Sequence, residues 1–194
     1  MPRIIAGDFR GRRLKAPRGL QTRPTIERVR EAVFNILGRR VRRARVLDLF
    51  AGTGAMGLEA LSRGAARVTF AERDRDARNA LVANIGALGV GESAEVLGGD
   101  AAEALRALAA RGEVFDLILM DPPYGGNLVA SALRAAAAVA APGALAVAEH
   151  HFKDEAPEDV SGFHLRDRRR YGDTAVSFYE HCGEPAAAPH EEPQ

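Results

Sequence analysis

The sequence is short of several things, and each shortage closes a class of function. It holds a single cysteine, Cys182, so no internal disulfide can form, and this also argues against a cysteine-ligated zinc site. No run of about 18 uninterrupted apolar residues occurs, which argues against a bilayer span. The opening MPRIIAGDFRGRRLK lacks an apolar signal core and a small-residue cleavage site, so a cytoplasmic protein is expected. There is no internal repeat. What is present, 194 residues with 46% hydrophobic and 27% charged, suits one soluble globular domain with little room for a second core.

The net charge of +1 hides a strong segregation. Residues 1–45 hold 14 Lys/Arg against 3 Asp/Glu, or +11, and the remainder is therefore −10. A basic segment on an acidic body is the electrostatic footprint of a polyanion partner such as nucleic acid, the alternative being a merely solvated basic face.

Three zones follow: a basic extension over 1–40, a main domain over 41–182, and a tail over 183–194. The tail has three prolines and no apolar period, so disorder is expected there. In the extension, RIIAG and RRLKA around Gly7, Asp8 and Gly11 predict a hairpin within residues 1–22 that carries Arg10, Arg12, Arg13 and Lys15. Pro24 and Thr25 open a helix whose apolar stripe is Ile26, Val29, Val33, Ile36 and Leu37, with Arg28 and Arg30 facing away and Gly38 as the stop.

From Arg45 onward, strands and helices alternate: VLDLF, a helix through LEALSR, VTFAE, a helix to about Leu88, AEVLGGD, AAEALRALAA as helix, and FDLILMD. Then come an alanine-rich helix from about Asn127 and the strand GALAVAEH. This grammar predicts an α/β fold with a mostly parallel sheet covered on both faces. FHLRDRRRY and TAVSFYEH read as a closing hairpin about Tyr171, Gly172 and Asp173, with antiparallel strands at the sheet edge.

Two motifs carry chemistry. LDLFAGTGAMG follows a strand and opens a helix, placing Gly52, Gly54 and Gly57, with Phe50 and Thr53, in a turn where a ligand can approach backbone amides. Glu72 lies 20 residues beyond Gly52, a spacing that also permits a nicotinamide dinucleotide. Asp48 near the first strand's end and Asp100 after the third shift the balance, because a third-strand acid suits S-adenosylmethionine better than a hydride carrier. The second motif is Asp121-Pro122-Pro123-Tyr124 at the end of the fourth strand. In an open α/β sheet the ends of strands one and four flank one crevice, so both motifs share a site. Consecutive prolines hold a rigid backbone with free carbonyls, Asp121 is an acceptor, and Tyr124 is a flat face. That set fits a flipped-out base stacked on Tyr124, its exocyclic amine donating to Asp121 and to the Pro122 carbonyl. His150 and His151 after the fifth strand read as an incidental surface pair.

LDLFAGTGAMGLEALSRGA, DPPY and RPTIERVREAVFNIL together resemble the bacterial 16S ribosomal RNA guanine-N2 methyltransferase family, the RsmD-like proteins. The likeness runs from RIIAG to YGDTAVSFYE and spares only the tail. It implies a class I methyltransferase fold with seven strands, the last antiparallel, S-adenosyl-L-methionine as cofactor, and a small N-terminal extension that meets RNA. By position, Asp48, Gly52 and Gly54 line the methionine side, Glu72 holds the ribose, Asp100 approaches the adenine, and Asp121 to Tyr124 hold the guanine. Arg23, with Arg10, Arg12, Arg13 and Arg28, is assigned to RNA, and the partner is 16S rRNA in the small subunit, met by a monomer without metal. Met56 stands where leucine is frequent in the family. The rivals are a DNA adenine-N6 methyltransferase, which DPPY serves equally but which usually carries a target-recognition insertion, a nicotinamide-dependent oxidoreductase, and a noncatalytic RNA-binding protein.

Overall fold

Continuous apolar runs separated by capped helices fold as the alternation requires. The structure, a computed structural model, describes residues 2–17, 24–122 and 128–183. Helix α1 (Pro24–Leu37) leads into β1 (Arg45–Leu49), α2 (Ala55–Ser62), β2 (Arg67–Glu72), α3 (Arg75–Leu88), β3 (Ala94–Gly98), α4 (Ala101–Ala110) and β4 (Phe115–Met120). Then follow α5 (Leu128–Ala136), β5 (Ala140–His151), β6 (Asp159–Val160), β7 (Phe163–Tyr171) and β8 (Thr174–His181). Caps set the boundaries. Asp74 accepts from the Ala77 N–H at 2.8 Å to start α3, and Asp100 with Glu103 forms a reciprocal capping box on α4.

The sheet order is β3-β2-β1-β4-β5-β8-β7-β6, parallel from β3 to β5, with β8 antiparallel between β5 and β7. Alternate residues of each strand feed two cores. One face buries Val46, Phe70, Leu117, Leu119 and Val147 under α1, α2 and α3, and the other buries Leu47, Leu49, Ile118 and Ala146 under α4 and α5.

Four expectations need correction. The described residues hold eight strands, not seven; the extra one, β6, is only two residues long and leaves no periodic signal. The closing hairpin does form the antiparallel edge of the sheet, but its second strand β8 lies inside, against β5 and buried over most of its length, with β7 and its exposed arginines next and the two-residue β6 outermost. In α1 the buried positions are Val29, Arg30, Val33, Phe34 and Leu37, whereas Ile36 is 44% exposed. Arg30 therefore faces inward, because positions 30, 33, 34 and 37 share one helical face. Finally, the N-terminal hairpin within residues 2–17 forms no extended strands: it is held by one antiparallel bridge, Arg3 to Arg13, and by backbone hydrogen bonds from the Ile4, Gly11 and Leu14 amides to the Arg12, Ile4 and Pro2 carbonyls.

This short arch is anchored by side chains of the main domain. Glu59, fully buried on α2, accepts from the Ile5 and Ala6 amides at 2.7 and 3.1 Å and from Arg63 Nε at 2.7 Å. Arg30 donates to the Arg3 carbonyl at 2.6 Å, and burial lowers its pKa. Ile4 and Leu14 enter the same core as α1 and β1, so the described part of the extension has no separate core.

Candidate active site

At the carboxyl end of β1 the chain must turn sharply without blocking the crevice. Phe50 does so at φ 63°, a left-handed conformation that costs a bulky residue energy and that clusters at functional sites. Gly52 follows at φ 56°, and a Cβ there would meet nothing within 4 Å, so its backbone faces open space. The other two glycines serve packing. A Cβ on Gly54 would lie 2.3 Å from Leu81, and one on Gly57 would lie 2.3 Å from Phe70.

Carboxylates brace this turn. Glu72 at the end of β2 accepts from the Gly52 N–H and from the Asp74 N–H, each at 2.7 Å. Asp48, buried in β1, accepts from the Gly57 N–H at 2.8 Å. Burial pushes the Asp48 carboxyl up to about 7, against the Gly57 hydrogen bond that favours ionisation. Thr53 is buried, and its carbonyl accepts from Asn84 Nδ2 at 3.0 Å.

A crevice of about 440 Å³ opens beside the turn, lined by Phe50, Glu72, Asp74, Gly99, Asp100 and Asp121 among others. The structure thus brings together the sequence-predicted Phe50, Glu72, Asp100 and Asp121. Asp100 is also the N-cap of α4, accepting from the Glu103 N–H at 2.7 Å, a structural duty that its position after β3 did not reveal. Pro122 is buried behind Asp121, and Pro123, Tyr124 and Arg23 lie outside the described residues, as does the tail over 184–194.

Asp121 borders a second, narrow gap lined by Asp48, Glu149, Met56, Val33 and Val176. It lies open to the crevice, yet the protein packed around it raises its pKa to about 6. Glu149 on β5 is raised to about 8, by burial first and by the charge of Asp121 second. Sequence reading missed Glu149. Its signal was an acid on the strand beside Asp121, one residue before the His150-His151 pair that drew attention instead. His150 is corrected from surface to core: it is 2% exposed, and its ring nitrogens meet Ser177 Oγ and the His151 carbonyl, each at 2.9 Å. Alternation along β5 turns it away from the Glu149 face.

Of the proposed RNA contacts, Arg10, Arg13 and Arg28 are exposed. Arg12 is also exposed but donates to the Ala87 carbonyl at 2.6 Å. Arg3, Arg10 and Arg28 border a groove of about 430 Å³ that also holds Glu27 and Glu31, so this surface is mixed in sign. Among the described residues, no group of side chains could hold a metal ion and no helix is long and apolar enough to cross a membrane.

This sheet order, with a glycine turn after β1 and a carboxylate-lined crevice at the strand ends, is the class I methyltransferase fold. The chain belongs to the family described as conserved hypothetical protein 95, whose model matches residues 2–180. It is 38% identical to YlbH of Bacillus subtilis, a candidate rRNA methyltransferase, over 93% of this chain and 100% of that one. It is 42% identical to the ribosomal RNA small subunit methyltransferase D of Escherichia coli over 66% of this chain and 62% of that one. The solved structure of YhhF, a candidate methyltransferase from Escherichia coli, superimposes with a TM-score of 0.82 at 35% identity, covering 94% of this chain and 98% of that one.

Proposed function

We propose that this protein is an S-adenosylmethionine-dependent methyltransferase that modifies the exocyclic N2 amine of a guanine in 16S ribosomal RNA. The observation that carries this reading is the meeting of Phe50, Glu72, Asp100 and Asp121 in one crevice at the strand ends. The crevice fits the cofactor: Gly52 leaves room for close approach, and Glu72 and Asp100 offer acceptors to ribose hydroxyls and the adenine amine. When bound, the cofactor supplies a methyl group already activated on a sulfonium, so neither metal nor covalent intermediate is needed.

The residues then have a positioning task. An exocyclic amine is a weak nucleophile because its lone pair is delocalised into the ring. Acceptance of its hydrogens by the Asp121 carboxylate and the Pro122 carbonyl localises that pair, and Tyr124 offers the flat face on which the base stacks. Such positioning can supply about 7 to 11 kcal/mol of the barrier. DPPY alone would serve an adenine amine equally well. The rRNA names of the relatives favour ribosomal RNA, and the relative named for the small subunit favours 16S. Arg10, Arg13 and Arg28 on the exposed arch and α1 supply phosphate contacts, and the protein acts as a cytoplasmic monomer on the small subunit or its assembly intermediate. The test is nucleoside mass spectrometry of each ribosomal RNA from a strain lacking the gene. One N2-methylguanosine should vanish from 16S RNA, and an unchanged content would refute the assignment.

A further inference from the structure

Strand register places a second carboxyl beside the proposed acceptor. In the parallel pair of β4 and β5, Leu119 sits opposite Val147 and Met120 opposite Ala148, so Asp121 and Glu149 occupy the next matched positions at the carboxyl ends. Matched residues on neighbouring parallel strands lie about 4.8 Å apart and point to the same face. That face is the one covered by α1, on which Leu119 and Val147 are buried. Asp121 stands between the crevice of Glu72 and Asp100 on one side and Glu149 on the other. Glu149 is half-buried, and no described residue donates a hydrogen bond to its carboxyl.

The other groups facing Glu149 cannot substitute for Asp121. From α1 comes Val33, from α2 Met56, and from β8 Val176, the register partner of Glu149. Asp48 on β1 is the remaining titratable group lining the gap among the described residues, and it is engaged by the Gly57 amide. No cation lines the gap among the described residues. Two adjacent carboxyls in such a place resist double ionisation, so the pair retains a proton into the neutral range.

We propose that Glu149 is a positioning residue for Asp121: as a carboxylic acid it donates a hydrogen bond to the Asp121 carboxylate, keeping that acceptor ionised and aimed at the substrate amine. This rests on the reading of Asp121 as the amine's acceptor. Burial raises both carboxyls, to about 6 for Asp121 and about 8 for Glu149, so around pH 7 the pair holds one shared proton. Glu149 is the less exposed of the two, so the neutral form is favoured there and the charge on Asp121, which opens to the crevice.

The test is kcat against pH on undermethylated small subunits, with S-adenosylhomocysteine affinity as the control for folding. Wild-type kcat should fall above about pH 8 as the donor is lost. Glu149→Ala should lose about tenfold in kcat at pH 7 with KM and cofactor affinity little changed. Glu149→Gln, which keeps an N–H donor but cannot ionise, should recover to within about threefold of wild type and show no alkaline fall. The proposal is overturned if Glu149→Ala matches wild type, if Glu149→Gln is as slow as Glu149→Ala, or if the alkaline limb persists in Glu149→Gln. A wild-type rate in Asp121→Ala would instead overturn the underlying reading of Asp121.

Discussion

Glu72 Oε2 accepts from the Gly52 N–H at 2.7 Å, so the acid that ends β2 also fixes the open glycine of the turn after β1. One carboxylate thereby positions the turn and keeps lone pairs for the ribose. Replacing it by alanine removes both effects, and Glu72→Ala should weaken S-adenosylhomocysteine binding by about 1.5 to 3 kcal/mol in calorimetry. Glu72→Gln retains one carbonyl acceptor and should lose less. Equal affinity in all three proteins would remove Glu72 from the cofactor site.

Asn84 joins the N-terminal arch to the same turn. It is 1% exposed, accepts from the Lys15 N–H at 2.7 Å, and donates to the carbonyls of Lys15 and Thr53 at 3.1 and 3.0 Å. Asn84→Ala strands all three backbone partners and should cost about 1 to 3 kcal/mol in urea denaturation, with faster tryptic cleavage after Lys15. An unshifted midpoint would mean that the arch is held elsewhere.

RNA binding should be read from its salt dependence. Removing residues 1–22 would also remove Ile4 and Leu14 from the core, so point substitutions are the cleaner probe. The triple change Arg10→Ala, Arg13→Ala, Arg28→Ala should reduce the slope of log K against log salt by about 2 to 3, close to one for each phosphate no longer neutralised. A wild-type slope in fluorescence anisotropy would show that the basic segment is only a solvated face.

Burial of Asp48 predicts a pH effect on stability. Its folded pKa, about 7, lies above the ordinary carboxylate value of 3.8, so the folded state holds the proton more tightly. Asp48 should therefore cost stability as pH rises from about 4 to about 7, by on the order of 4 kcal/mol, and the raised carboxyls of Asp121 and Glu149 extend the fall to about pH 8. Asp48→Asn keeps an acceptor for the Gly57 amide and should make the fall shallower between about pH 4 and 7 in urea titrations, leaving the share of Asp121 and Glu149. A wild-type pH profile in the variant would assign the effect to other groups.

The strand and helix alternation from Arg45 to Met120 was legible because β1, β2 and β4 are continuous apolar runs buried on both faces, and topology alone puts Gly52, Glu72, Asp100 and Asp121 at the strand ends. Long-range side-chain geometry was not. Arg30 reads as a solvent-facing charge until Glu59 and the Arg3 carbonyl are brought to it across 29 and 27 residues of chain. His150 reads as exposed until β8 supplies Ser177. Glu149 becomes informative only when register sets it beside Asp121, since parallel pairing across a crossover leaves no local trace in sequence.

Single-turnover methylation of small subunits from a strain lacking the gene, followed by nucleoside mass spectrometry, reads the reaction and its proposed acceptor together. Wild type should convert one guanine per 16S RNA to N2-methylguanosine. Asp121→Ala should do so about 100-fold more slowly or worse with cofactor affinity nearly intact, because the hydrogen bond it removes acts mainly in the transition state. Asp121→Asn, which keeps a carbonyl acceptor, should fall between them. Methylation at a different base atom, or a wild-type rate in Asp121→Ala, would contradict the account.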